Sequence, residues 1–316
     1  MEYNQFVDDV QNCIRVKVED GYEVKVNRIK KNNSVILDGI VLFREGDTIS
    51  PNIYLNNYYS RYMEGESVDT IAQDIINTYK ESKRRQAPEY EQFEFKFENI
   101  KDRIVYRLVN YSKNTKLLEE VPSVRFLDLA ITFHCLVKQD EEGIGTIRIT
   151  NEHLENFGLS VKELMQLAVK NTSRLFPLKI STMEDVIYSL FKKELCGMAV
   201  SSEEENEEMF RKLFAQILPE DGGPKMYILS NEAGINGATA MLYRDGLKEF
   251  ANRLDCDFYI LPSSIHEVIL VPYDESLSRE ELKNMVSEVN GSQVPVDEIL
   301  SDKVYIYRRK NNRVEI

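Results

Sequence analysis

The stretch YILPSSIHEVILVP, from Tyr259 to Pro272, contains three residues whose types could perform covalent chemistry: Ser264, His266 and Glu267. A serine activated by a histidine base is the nucleophile of many acyl-transfer enzymes, and a carboxylate orients the histidine in such sites. If this stretch is a strand, its side chains alternate between two faces. Ser264 and His266 then share a face, and Glu267 lies on the other. A catalytic triad would therefore need a carboxylate from elsewhere in the chain.

A second interpretation of the same stretch is structural. Pro262 and the two serines after it are typical of a turn, which predicts a hairpin of two antiparallel strands. His266 then lies half-buried beside Val268 and Leu270, with its ring bonded to a neighbour. The sequence favours this role over catalysis, because the chain contains no G-x-S-x-G nucleophile elbow. For a catalytic role, Asn231 in a neighbouring loop is the candidate polar helper.

The patterns of known metal and cofactor sites are missing from the sequence. HEVIL begins like the zinc motif H-E-x-x-H, but Leu270 stands where the second histidine is required. The other histidines, His134 and His153, fit a strand and a helix start. Gly234 and Gly237 form neither a G-x-G-x-x-G motif nor a phosphate loop, and they are typical of a hairpin loop. We therefore expect no metal and no cofactor.

The composition predicts an acidic cytoplasmic protein. The net charge of −13 over 316 residues argues against a nucleic-acid partner, since phosphate binding requires a basic surface. The four cysteines are scattered and do not indicate a disulfide framework. The polar N-terminal residues do not resemble a signal peptide, and the chain has no apolar run long enough to span a membrane.

Hydrophobic periodicity indicates three regions of mixed helices and strands, at residues 1–85, 90–196 and 205–316. In the last region, hairpin-length loops separate the strand patterns, and two helices interrupt them. We therefore expect an α+β fold of antiparallel sheets with helices packed on one face, in two to three subdomains.

Three local expectations complete this view. The spacing of Phe97, Ile100, Ile104 and Leu108 predicts a helix, and GATAMLY (residues 237–243) predicts a strand. The polar segment Cys196–Glu204 is expected to be an exposed linker.

Four segments of the chain resemble a domain-of-unknown-function family from gut-dwelling Clostridia: RFLDLAITFHCLV, GTIRITNEHLENFGLS, MYILSNEAGINGATAMLY and YILPSSIHEVILVP. The resemblance extends over nearly the whole chain and implies a bacterial cytoplasmic protein. It implies no activity, cofactor or catalytic residue.

Two functional hypotheses remain. The sequence favours a non-enzymatic interaction or regulatory protein with a protein partner, because no complete catalytic site is present. The alternative is a hydrolase or transferase that uses the turn at Ser264 and His266. A carboxylate within hydrogen-bond reach of His266, in an open cleft, would favour the alternative.

Overall fold

The computed structural model describes residues 2–44, 50–85, 94–140, 143–195, 211, 225–243 and 245–316. The chain forms two compact units, Met1–Asn99 and Ile100–Ile316. All strand pairings among the described residues are antiparallel, and helices accompany each sheet, which confirms the predicted α+β class. The second unit holds most of the predicted central region and all of the C-terminal one. The predicted linker Cys196–Glu204 lies outside the described residues.

The N-terminal unit is a three-stranded sheet with helices. Its elements are α1 (Tyr3–Lys17), β1 (Tyr22–Lys30), β2 (Ile36–Arg44), β3 (Ile53–Tyr54), α2 (Leu55–Met63) and α3 (Val68–Arg85). The sheet order is β1-β2-β3. Phe6, Val10 and Ile14 recur at four-residue steps along α1 and are completely buried. This stripe packs into the same core as Ile71 and Ile75 of α3, as an amphipathic helix requires.

The second unit begins with a four-stranded sheet. Its strands are β4 (Ile104–Asn110), β5 (Ser123–Phe126), β6 (Leu129–Asp140) and β7 (Gly143–Arg148). The long strand β6 pairs with β4 along one edge and with β5 and β7 along the other. The helices of this part of the chain are α4 (Phe97–Ile100), α5 (Thr115–Leu118), α6 (Asn151–Phe157), α7 (Val161–Leu175) and α8 (Met183–Leu195).

A six-stranded sheet forms the rest of this unit. Its strands are β8 (Leu178–Thr182), β9 (Tyr227–Asn231), β10 (Phe258–Leu261), β11 (Val268–Pro272), β12 (Tyr305–Arg308) and β13 (Arg313–Glu315). Their order in the sheet is β13-β12-β10-β11-β9-β8. The helices are α9 (Gly246–Leu254) and α10 (Arg279–Ser292), together with the 3-10 helix Gly237–Leu242. Shorter 3-10 turns elsewhere in the chain span Asn32–Ser34, Lys101–Arg103 and Ser112–Asn114.

Two predicted elements were wrong. The helix expected from Phe97 to Leu108 ends at Ile100, and β4 begins at Ile104. Six of the seven residues of β4 are buried, so apolar residues on both faces produced a misleading helical spacing. The expected strand GATAMLY is the 3-10 helix instead. Its small residues pack closely against β9, which their sequence pattern does not reveal.

Polar side chains join the two sheets of the second unit. Asp128, in the turn before β6, accepts hydrogen bonds from the hydroxyls of Ser301 at 2.8 Å and Tyr305 at 2.6 Å. The side-chain amide of Asn110, at the end of β4, donates to the carbonyl of Leu300 at 2.9 Å. Tyr305 is fully buried, and burial together with Asp128 raises the pKa of its hydroxyl. The segment around Leu300 is therefore tied to both sheets.

Tyr305→Phe tests this connection. The substitution keeps the ring but removes a hydrogen bond to a carboxylate, so the free energy of unfolding should fall by about 1.5 to 3 kcal/mol. Urea denaturation provides the measurement. Tyr273→Phe is the matched control. Tyr273 is 39% exposed, so the loss of its hydroxyl should change the free energy of unfolding little. Equal stability of the two variants would contradict a structural role for the bond to Asp128.

Candidate functional site

His266 lies where three segments of the second unit meet. It belongs to the connection between β10 and β11, which follows Leu261 and ends before Val268. The backbone of this connection pairs with the segment before β12, through Ile265 N–H to Glu298 O at 2.9 Å and Leu300 N–H to Ser263 O at 2.8 Å. On its other side, Ala238 N–H donates to Ile265 O at 3.2 Å. The connection is therefore anchored along most of its length.

The predicted hairpin is confirmed in its pairing, and its turn is longer than expected. β10 and β11 are antiparallel, with Phe258 opposite Pro272 and Leu261 opposite Ile269. The strand β11 begins at Val268, so the prediction of alternating faces through Ser264 and His266 was wrong. Pairing of this segment with residues 298–301 replaces the tight turn.

Both ring nitrogens of His266 face protein groups. Nδ1 accepts a hydrogen bond from the backbone N–H of Asn236 at 3.3 Å. Nε2 lies 3.5 Å from a carboxylate oxygen of Glu298. Because Nδ1 is an acceptor, the neutral ring carries its proton on Nε2, which then points at Glu298. The side chain is 27% exposed.

The remaining predicted site residues are close by but do not form a nucleophile–base pair. Ser264 is 5% exposed, and its hydroxyl oxygen accepts the backbone N–H of His266 at 3.0 Å. Burial raises the pKa of Glu267, while His266 and Ser264 act in the opposite direction. The carboxylate beside the imidazole comes from Glu298. No sequence pattern indicated Glu298, because it lies 32 residues after His266 in a segment without a motif.

Asn231 ends β9 on the same side of the sheet as the His266 connection. The neighbouring hydroxyl of Ser230 donates to the carbonyl of His266 at 2.8 Å, which ties the two loops together. The Asn231 side chain is 2% exposed, and its Nδ2 donates to Ile235 O at 2.9 Å. Its Oδ1 is buried and has no hydrogen-bond partner in the described part of the chain. Asn231 also lines a cleft with Arg107, a residue that the sequence analysis did not select.

The other two histidines occupy the predicted structural positions. His134 is 5% exposed on β6, and its Nε2 lies 3.2 Å from the hydroxyl of Thr132. His153 completes the cap of α6, where its Nδ1 accepts the N–H of Thr150 at 3.1 Å. Within the described ranges, no group of three or more histidine, cysteine or acidic side chains is arranged to hold a metal ion.

Gly237 permits the close approach of the loops around His266. A Cβ atom at this position would collide with the Ser230 hydroxyl and the His266 carbonyl, and it would lie 2.8 Å from the backbone nitrogen of Asn231. Two of these atoms belong to the backbone and cannot rotate away. Gly234, in the same loop, has a φ of +66°, as the hairpin-loop interpretation predicted for a glycine there.

Gly237→Ala should therefore lower the free energy of unfolding by about 1 to 3 kcal/mol through overpacking. Gly291→Ala provides a matched control, because no atom of the described residues lies within 4 Å of its added Cβ. In α10 that methyl group should be neutral or stabilise the helix by up to about 1 kcal/mol. Both values can be measured by urea denaturation. If Gly237→Ala were as stable as the control, the loops around Gly237 would have room for a methyl group, and the close contact described here would be wrong.

Comparisons with known proteins place the chain in a family. The model of a family described as "Family of unknown function (DUF5688)" matches residues 3–309. No curated protein and no solved structure shows significant similarity to the chain. Since the matched residues cover nearly the whole sequence, the chain belongs to the DUF5688 family.

Proposed function

We propose that this protein acts by binding another protein and is not an enzyme. The observation that carries the proposal is the engagement of His266 by Asn236 on one side and Glu298 on the other. A histidine that activates a serine needs a free ring nitrogen facing the hydroxyl. Here the Ser264 hydroxyl contacts the backbone of His266 instead. The side chains at this turn therefore serve to join loops.

The proposed location is the bacterial cytoplasm, in Clostridia, as the resemblance of the sequence implies. The free thiols of Cys13, Cys135 and Cys256 are compatible with a reducing compartment. Among the described residues, no helix is both long enough and apolar enough to cross a membrane. The net charge of −13 supports a protein partner over a nucleic acid.

The proposed contact surface is the outer edge of β1 in the N-terminal unit. This nine-residue strand pairs only with β2 among the described strands. The N–H of Asp38 on β2 donates to the Asn56 side chain and so points away from β1. Its partner across the ladder, Arg28, must then direct its own N–H outward. Such an edge can accept an extended segment of another protein as an additional strand.

Near its beginning this edge is already covered. The carbonyl of Val24 accepts hydrogen bonds from the side chains of Gln11 at 3.0 Å and Arg15 at 3.3 Å, both on α1. A docking strand would therefore pair with the later part of β1, around Val26 and Arg28. Charged side chains on edge strands normally oppose unwanted pairing, which makes the partner segment specific.

A hydrolase or transferase is the second candidate, and one observation favours it. Glu298 supplies beside His266 the carboxylate that the sequence motif lacked, and the imidazole is partly exposed. The Nδ1 contact with Asn236 and the burial of Ser264 oppose this reading.

Substitutions of His266 separate the two functions. His266→Ala removes packing and leaves the Asn236 N–H without its acceptor, so it should cost about 1 to 3 kcal/mol of stability. His266→Gln retains bulk and an acceptor and should cost less. We expect no turnover of p-nitrophenyl acetate or butyrate above that of the heat-denatured protein. Turnover that disappears in Ser264→Ala, with His266→Ala melting within about one degree of wild type, would establish the enzyme instead.

The edge of β1 is tested by Arg28→Pro and its control Arg28→Ala. Both remove an exposed side chain whose 3.7 Å ion pair with Asp38 contributes little. Only proline also removes the outward N–H and blocks a docking strand, while the ladder to β2 stays intact. In affinity capture from the organism that makes the protein, a stoichiometric partner should bind wild type and Arg28→Ala. Arg28→Pro should bind this partner at least about tenfold more weakly. If a folded Arg28→Pro protein still captured the partner, the edge of β1 would be excluded as the contact surface.

A further inference from the structure

The strand β1 and the residue after it carry an excess of positive charge, although the chain as a whole is acidic. Residues 22–31 contain four cationic side chains and one acidic side chain, against a net charge of −13 for all 316 residues. Three of the cations, Lys25, Arg28 and Lys30, are exposed. At an ionic strength of 0.1 M, charges act over about 10 Å, so this excess acts on any segment that approaches the strand. The charge at β1 therefore favours an acidic partner.

Ion pairs within the unit neutralise this charge only in part. Lys25 pairs with Glu23 at 2.9 Å, and both side chains are more than half exposed. The Arg28 guanidinium lies 3.7 Å from the Asp38 carboxylate, and the Arg28 side chain is 77% exposed. Exposed pairs of this kind are weak, because water screens them and the long side chains lose conformational freedom. Arg28 can therefore turn from Asp38 to a carboxylate on a docked strand.

The alternation of side chains along β1 determines where the charges of a docked strand must lie. Val26, Arg28 and Lys30 are two residues apart and share one face of the sheet. Ile29 lies on the opposite face, across the ladder from Leu37 of β2, and both of these side chains are half-buried. A strand docked on this edge therefore meets two cations on one face and, between them, an apolar side chain on the other.

We propose that the edge of β1 binds an extended segment in which two acidic residues flank an apolar one. The inference rests on the proposed contact surface and adds the chemistry of its partner. The two carboxylates lie opposite Arg28 and Lys30, and the apolar side chain packs beside Ile29. A planar guanidinium matches the geometry of a carboxylate, which makes Arg28 the more selective of the two cations. The order acid, apolar, acid is the same in both chain directions, so it applies to a parallel or an antiparallel partner.

A second copy of this chain is a poorer occupant of the edge. Pairing through the same strand would place the positive excess of one copy against that of the other, and like charges on neighbouring strands destabilise a sheet. With Arg28 on the two-fold axis of such a dimer, the two arginines would lie directly opposite each other. The charge of β1 thus acts against self-association.

Three capped heptapeptides, VTEVETV, VTQVQTV and VTKVKTV, test the charge preference on the full chain. Each has the same sequence in both directions, and only the charge on either side of the central valine differs. Fluorescence anisotropy of the labelled peptides provides the measurement. In about 50 mM salt, VTEVETV should bind at least about tenfold more tightly than VTKVKTV, with VTQVQTV between them. Raising the salt to about 0.5 M should reduce this difference, because salt screens exposed charges.

Replacement of the two cations by acids should reverse the preference. The double variant Arg28→Glu with Lys30→Glu should bind VTKVKTV more tightly than VTEVETV. The matched control is Lys162→Glu with Lys170→Glu, which makes the same change in net charge at exposed positions of α7 and should keep the wild-type preference. Lys30→Glu alone adds no carboxylate beside Asp38, so it serves if the double variant does not fold. It should reduce the preference for VTEVETV at least about threefold.

Two further variants of Arg28 separate the edge from its charge. Arg28→Ala keeps the outward N–H and the cation at Lys30, so it should weaken the binding of VTEVETV by only about two- to fivefold. Arg28→Pro removes the N–H and should abolish the binding of every peptide. If it does so while wild type binds all three peptides equally, the edge docks a strand and its preference for acids is refuted. If Arg28→Pro binds as wild type does, or wild type binds no peptide, the contact surface itself fails and the acidic partner with it.

Sedimentation of wild type and of Arg28→Pro tests the remaining occupant. Both proteins should sediment with the same mass, because the charge of β1 opposes pairing with a second copy. A wild-type dimer that Arg28→Pro converts into a monomer would assign the edge to a second copy of this chain and overturn the acidic partner.

Discussion

The contact between the Gly237 backbone and the loops after β9 and before β11 sets the arrangement of the second unit. Only a residue without a side chain can bring Ser230, Asn231 and the His266 carbonyl this close together. The 3-10 helix that follows then packs beside β4, which brings the six-stranded sheet against the four-stranded one. His266, the cleft at Arg107 and the alignment of the loops all follow from this one approach.

Around His266 a serine, a histidine and a carboxylate lie together, and the Ser264 hydroxyl contacts the backbone of His266 rather than its ring. Nδ1 of His266 and the hydroxyl oxygen of Ser264 each accept a backbone N–H, and a carboxylate oxygen of Glu298 lies 3.5 Å from Nε2 of His266. Burial without partners would be costly for these groups, so the hydrogen bonds of the loops stabilise the fold and specify one arrangement. The Oδ1 of Asn231 departs from this pattern, since it is buried with no hydrogen-bond partner among the described residues.

The sequence predicted elements whose cause is local. The pairing of β10 with β11 and the cap at His153 arise from turn or capping signals within a few residues. The fold class was confirmed for the same reason. The prediction failed at β4, where burial on both faces removes the alternation that identifies a strand.

The site was less predictable than the fold. Ser264, His266 and Asn231 were selected by residue type, and the structure brings their loops together through Ser230. Glu298 reaches His266 only through tertiary folding, so no local pattern could indicate it. Arg107 did leave a trace, as the charged residue in the mostly apolar run IVYRLVN, but its place beside Asn231 in the cleft is visible only in three dimensions.

The ties between Asp128, Asn110 and the segment around Leu300 also affect the order of folding. These hydrogen bonds join residues separated by 173 to 190 positions in the chain. A ribosome releases the four-stranded sheet long before the residues that satisfy these groups have been made. Until then, Asp128 and the amide of Asn110 must remain in water, and the surface of the sheet that carries them cannot be buried. Contacts of such long range slow folding, because the entropy of closing a large loop is lost before the bonds form. The second unit should therefore complete its structure late, as one cooperative step.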